Sequence, residues 1–236
     1  MPCLDPERLL AACEHGARRH PIDRALVLLS LASPSTPAAS LADLPLGERN
    51  AALFGLRERL FGSGIEVFVD CASCGERMTL YLDRGQFPAP PDHDVQPLQI
   101  DGHGFRRPTS RDLASARTAP DVAGAARALL RACADQPDRL PVEDDALDAL
   151  LDRVETELDR LDPWADLSLI ASCPACGAEQ ETALDVGEVL WVELERMGNA
   201  LLDDVHLLAS SYGWRENEIL ALSESRRAAY VERVRP

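Results

Sequence analysis

Two short motifs in this chain carry recognisable inorganic chemistry: CASCG at residues 71–75 and CPACG at 173–177. Each CxxC sets two sulfurs on one side of a tight loop, about the edge length of the tetrahedron that Zn²⁺ prefers. The glycine after the second cysteine lets the backbone turn back, so amide N–H groups can face the thiolates. Those donors matter, because four thiolates around Zn²⁺ leave a net charge of about −2. Arg77, just past the first motif, is a candidate for further compensation. Cys71, Cys74, Cys173 and Cys176 are therefore read as the ligands of one zinc ion. Four protein ligands leave no open position, so the expected metal is structural rather than catalytic.

Three other readings of these cysteines stand beside that one. A redox CxxC usually opens a helix, whereas both motifs here lie between alternating, strand-like segments. Disulfides need an oxidising compartment. Two half-sites could also be completed across a dimer. The single intramolecular site is preferred, although residues 75–172 separate the pairs where compact ribbons use roughly 15–20. The implied arrangement is a ribbon split by an insertion, which hairpin tips tolerate when the ends of the insert lie close together.

The elements that must position the sulfurs follow from periodicity. Ile65, Val67 and Val69 share one face of a strand before the first motif, and Met78, Leu80 and Leu82 one face of the strand after it. Leu167 and Leu169 alternate before the second motif, with a return strand expected at 182–186. Helices are expected over 6–20, from Pro21 to about 31, and over 47–61. SPSTPAAS at 33–40 reads as a linker. Residues 86–108, rich in Pro, Asp and Gly, read as loop with a short strand at 95–100. Thr109 and Asp112 match a helix-start box. Helices follow at 121–133 and 143–161, the latter striped by Leu147, Leu150, Leu151, Val154, Leu158 and Leu161 and ended by Pro163. A long helix over 187–211 and two short ones near 215–221 and 223–234 finish the chain. The fold class is thus α+β, mostly α-helical: N-terminal helices (1–64), first half of a four-cysteine zinc ribbon (65–83), helical insertion (84–165), second half (166–186) and C-terminal helices (187–236).

Composition narrows the function. The chain has 236 residues, 46% hydrophobic and 27% charged, as in a globular protein with a sizeable core. Its net charge of −16 repels phosphate backbones and anionic membranes, so neither nucleic acid nor membrane is an expected partner. The longest apolar stretch, ALVLLSLA at 25–32, is far short of the roughly 20 residues of a spanning helix. The N-terminus lacks the charged region and cleavage site of a signal peptide, which points to the cytoplasm. Cys3, Cys13 and Cys133 read as small buried or half-buried hydrophobes.

Other chemistry is weak. Asp92, His93, Asp94, Asp101 and His103 form an acid/His group in a loop, without regular ligand spacing. His15 and His20 suit a helix end. There is no G-x-S-x-G, H-E-x-x-H or P-loop, and no nucleophile with its base, so no enzyme and no small-molecule substrate are expected. The acidic run at 143–162 reads as a solvated helix face.

Residues 201–234, LLDDVHLLASSYGWRENEILALSESRRAAYVERV, carry one more pattern. Asp203, His206 and Leu208 precede Tyr212-Gly213-Trp214; Glu216, Ile219, Leu220 and Leu222 follow; Arg226, Arg227 and Tyr230 close it. This pattern resembles the C-terminal signature of the T4-like phage baseplate hub assembly chaperone family. Longer bacterial relatives, from gene clusters for contractile tails and extracellular injection systems, are also similar at LADLPLGERN (41–50), RRPTSRDL (106–113), CPACG and GEVLWVEL (187–194). Minimal phage members are shorter and need not carry the cysteines, so the zinc is not inherited from the signature. The resemblance implies a non-enzymatic assembly factor or minor structural component of the baseplate of a phage-like contractile injection system, cytoplasmic or incorporated into the particle. Its implied partners are baseplate or hub/spike proteins, with His206, Tyr212, Trp214, Arg226, Arg227 and Tyr230 as the partner surface. Trp191, Trp214 and Tyr230 are expected to include core or interface anchors. The alternative is a zinc-ribbon regulatory protein contacting nucleic acid or transcription machinery.

Overall fold

A computed structural model of the chain describes residues 4–89 and 96–235. It is α+β and mostly helical, with three separate antiparallel hairpins. Helices α1 (Pro6–Gly16), α2 (Pro21–Ala32), α3 (Ala38–Ala42) and α4 (Leu46–Phe61) precede a hairpin of β1 (Ile65–Asp70) and β2 (Arg77–Leu82). A second hairpin, β3 (Leu98–Ile100) and β4 (His103–Phe105), leads into α5 (Ser110–Ala116), α6 (Val122–Cys133) and α7 (Asp144–Leu161). The third, β5 (Ser168–Ser172) and β6 (Glu179–Ala183), is followed by α8 (Val186–Tyr212), α9 (Glu216–Leu220) and α10 (Glu224–Val234). No helix among the described residues is long and apolar enough to cross a membrane.

The main core forms where α1, α2 and α4 pack on the N-terminal half of α8. Leu28, Leu29, Leu53, Phe54, Leu190, Trp191 and Leu194 are almost wholly buried there. Gly16 gives Trp191 its space, since a Cβ at residue 16 would overlap the indole. Arg24 lies over the same ring, 4.9 Å from its centroid. Ile65 and Leu82 at the base of the first hairpin, and Leu167 and Leu184 at the base of the third, belong to this core. Both cysteine-bearing hairpins therefore stand on one helical platform, which answers the long gap in sequence between them.

The intervening segment has a core of its own. Ile100 and Phe105 from the β3–β4 hairpin meet Leu130 of α6 and Leu147, Leu150 and Val154 of α7. Two of its helix starts are capped: Thr109 and Asp112 form at α5 the reciprocal box expected from sequence, and Asp121 accepts from the Gly124 N–H at α6. Its ends return to α4. Leu46 N–H donates to the Pro108 carbonyl, Asn50 Nδ2 to the Trp164 carbonyl, and Gly47 N–H to the buried Asp162 carboxylate at 3.3 Å. That carboxylate sits at the positive end of α4, as the helix dipole favours. Burial pushes its pKa up, and the Arg107 guanidinium and the Gly47 N–H act against that rise.

A Cβ at Gly47 would overlap Asp162. Gly47→Ala is therefore expected to lower stability by about 1–3 kcal/mol, seen as a melting midpoint several degrees below wild type. An unchanged midpoint would show that the joint yields without strain.

Several sequence expectations need correction. The linker at 33–40 gives way to α3 from Ala38. The loop at 86–108 contains the β3–β4 hairpin, whose turn residues Asp101 (φ 51°) and Gly102 (φ 79°) both adopt the left-handed backbone of a two-residue turn. The return strand lies at Glu179–Ala183 rather than 182–186, because Asp185 caps α8 and Val186 already begins it. Leu161, the last member of the α7 stripe, is 40% exposed.

Candidate metal centre

The two cysteine loops share one local design. In the first, Cys71 N–H donates to the Glu76 carbonyl and Gly75 N–H to the Cys71 carbonyl. In the second, Cys173 N–H donates to the Ala178 carbonyl and Gly177 N–H to the Cys173 carbonyl. Gly75 (φ 74°) and Gly177 (φ 73°) occupy the left-handed region that closes each loop, where a side chain would be strained. The flanking strands continue in antiparallel register, from Asp70 opposite Arg77 and from Ser172 opposite Glu179.

The loops face each other so that the sulfurs interleave. Cys71 Sγ lies 3.7 Å from Cys176 Sγ, and Cys74 Sγ lies 3.7 Å from Cys173 Sγ. All four sulfurs fall within 4.8 Å of one another and could hold one metal ion. All four cysteines are free thiols, so neither loop carries a disulfide. The first cysteine of each loop is buried and the second exposed. Met78 and Ala171 pack beside Cys71 and Cys173, backed by Val69, Leu80 and Ala178.

The thiols are electrostatically interdependent. Backbone N–H groups of Cys74 and Ser73 point at the Cys71 sulfur and bring its pKa down to about 6. The Glu76 N–H favours the Cys74 thiolate, but the neighbouring thiols of Cys176, Cys173 and Cys71, with some local desolvation, outweigh it and push Cys74 up to about 12. Cys176 is likewise raised despite the Ala178 N–H. Crowded thiolates repel each other, and a divalent cation among them removes that penalty.

The surroundings differ in two ways from what the motifs suggest. Arg77 lies 4.0 Å from Asp70 and over the Phe68 ring, so it is engaged on the outer face of its own hairpin. Gln180, an ordinary polar residue in the sequence pattern, reaches across to the first loop. Its Oε1 accepts from the Ala72 N–H at 2.7 Å, and its Nε2 donates to the Asp70 carbonyl at 3.1 Å.

The C-terminal residues singled out by sequence form a second cluster. Tyr212 and Trp214 stack with centroids 4.8 Å apart, and Tyr230 meets both edge-on at 5.7 and 4.8 Å. Gly213 caps α8 in the left-handed conformation and turns the chain so that these rings meet. Beneath them Leu208, Ile219 and Val231 make a small core. Trp214 and Tyr230 are half-buried, Tyr212 and His206 exposed. Arg226 is exposed, whereas Arg227 is largely buried and donates to Asp204 at 3.3 Å. Trp191 lies in the main core, away from any surface.

The remaining candidates are dispersed. Asp92, His93 and Asp94, like Cys3, lie outside the described residues. Asp101 pairs with Arg153 at 2.6 Å, and His103 sits in β4 near the Phe105 ring. Cys133 is buried, and half-buried Cys13 contacts the Leu194 carbonyl. His20 caps α2 by accepting from the Ile22 N–H through Nδ1, and His15 lies in the last turn of α1. The chain matches no protein-family model, no curated protein and no solved structure.

Proposed function

We propose that the four cysteines bind one structural zinc ion, that the two hairpins form a zinc ribbon split by the helical segment between them, and that the protein is a non-enzymatic assembly factor or minor component of a contractile-system baseplate. The donor set supports the metal. A tetrahedral ion with Zn–S bonds of about 2.3 Å sets its sulfurs about 3.8 Å apart. The two cross-loop pairs, at 3.7 Å, stand almost at that separation. Four thiolates suit Zn²⁺ over hard, oxygen-seeking cations, and their amide donors offset the excess negative charge.

The assembly role rests on one observation above others: Tyr212, Trp214 and Tyr230 form a partly exposed aromatic cluster inside the segment that resembles the hub-chaperone signature. Amphipathic aromatics beside arginine are the residue types that anchor protein interfaces. Zinc in this reading is architecture, and the C-terminal helices are the working surface. Affinity capture with the tagged protein from cells that make the complete particle tests the role. Recovery of a hub, spike or other baseplate component is expected. Recovery of none, together with salt-dependent nucleic-acid binding near about 0.1 M salt, would replace it with the regulatory reading.

A further inference from the structure

The two cysteine loops superimpose in sequence when their first cysteines are aligned. Asp70 then matches Ser172, Ala72 matches Pro174, and Met78 matches Gln180. The backbone hydrogen bonds within the loops obey this equivalence, as do the positive φ values of Gly75 and Gly177. The side chains that link one loop to the other do not. Gln180 offers both ends of its amide to the main chain on either side of Cys71, accepting from Ala72 N–H and donating to the Asp70 carbonyl. The equivalent bond in the opposite direction cannot form, because Pro174 has no N–H to give. Its would-be partner is Met78, an apolar side chain buried with Ala171 and Cys173. One direction of the pseudo-symmetric pair is thus polar and matched, and the other is apolar and matched.

From this we infer that Gln180 is the positioning residue of the metal centre: a one-way clamp that holds the second hairpin in register with Cys71 before the ion arrives. The inference rests on the metal reading above. The need for such a clamp follows from the chain. Two ligands lie on each hairpin, and the hairpins share only the platform at their bases and a small apolar cluster at their tips, neither of which fixes the rotation of one loop against the other. A side-chain amide paired with two backbone groups resembles a short stretch of sheet, and it fixes both separation and rotation of the loops. It touches no sulfur, so it acts through the placement of Cys71.

The test uses cobalt(II) as the metal probe, in competition with a chelator, on the full chain and three variants. Wild type should show cobalt–thiolate absorption and bind tightly. Gln180→Met should bind about tenfold more weakly, the range typical for loss of an outer-shell partner. The melting midpoint in saturating metal should hardly move, because the methionine packs as Met78 does. Ala72→Pro, which the second loop already accommodates at Pro174, should lose affinity in the same direction but less. The double variant should be no weaker than Gln180→Met alone, since both changes remove one shared bond. Equal affinity in wild type and Gln180→Met would overturn the clamp and leave the metal standing. Losses that add in the double variant would also overturn it. No thiolate absorption in the wild type would overturn the metal reading and the clamp together.

Discussion

Removing the metal with a strong chelator at 25 °C is expected to free the two cysteine hairpins while leaving the helices folded. A lone two-stranded hairpin is marginal in water. Here the tips are joined by a small cluster, Cys71, Met78, Ala171 and Cys173, and by the Gln180 bonds. The helical platform draws its burial from Leu28, Leu29, Leu53, Leu190 and Leu194, none of which depends on sulfur. Backbone amide exchange should therefore accelerate in Ile65–Leu82 and Ser168–Ala183, and stay slow in α2 and the first half of α8. Global stability should fall as well. A ligand at a thousand times its dissociation constant stabilises the fold by about 4 kcal/mol, which for a chain this size is a melting shift of about 8–16 °C. Uniform exchange across helices and hairpins, or no change in the hairpins, would separate the cysteines from the architecture.

The second large effect concerns the aromatic cluster. Replacing Trp214 and Tyr230 together with alanine is expected to weaken capture of a baseplate partner by about 30-fold or more, the loss of an interface anchor worth about 2 kcal/mol. Both rings also pack on Leu208, Ile219 and Val231, so the double variant could lose α9 and α10 from α8 instead. Arg226→Ala keeps the two explanations apart. Its side chain is exposed and lies outside that small core. It should weaken capture about tenfold with helix content and melting unchanged. If Arg226→Ala and the aromatic double variant both capture partner like wild type, the working surface lies elsewhere.

How much of this was legible in the sequence varies by element. The cysteine loops were, because Cys-x-x-Cys-Gly between alternating strands specifies hydrogen bonds and a left-handed glycine locally. The stripe of α7 was, as far as Leu158, because its apolar period runs through many turns. The β3–β4 hairpin is only half visible, as one short strand at 95–100, although Asp101-Gly102 is a strong turn signal. The strands beside it are three residues each, too short to show alternation. Gln180 was missed for a different reason. Within its own strand it is an ordinary polar residue, and its role appears only when its hairpin is set against Ala72 of the other. The joint of Gly47 with Asp162 is equally invisible locally, since its two sides come from opposite ends of the intervening segment.

In the proposed architecture, four cysteines from two distant hairpins hold one zinc ion. Elemental analysis of the purified full chain, paired with thermal unfolding, tests it most directly. One zinc per chain is predicted for the wild type. Loss of that zinc together with thermal stability is predicted for the Cys71→Ser/Cys173→Ser double variant. A wild-type protein that is fully folded and free of metal would rule the zinc site out.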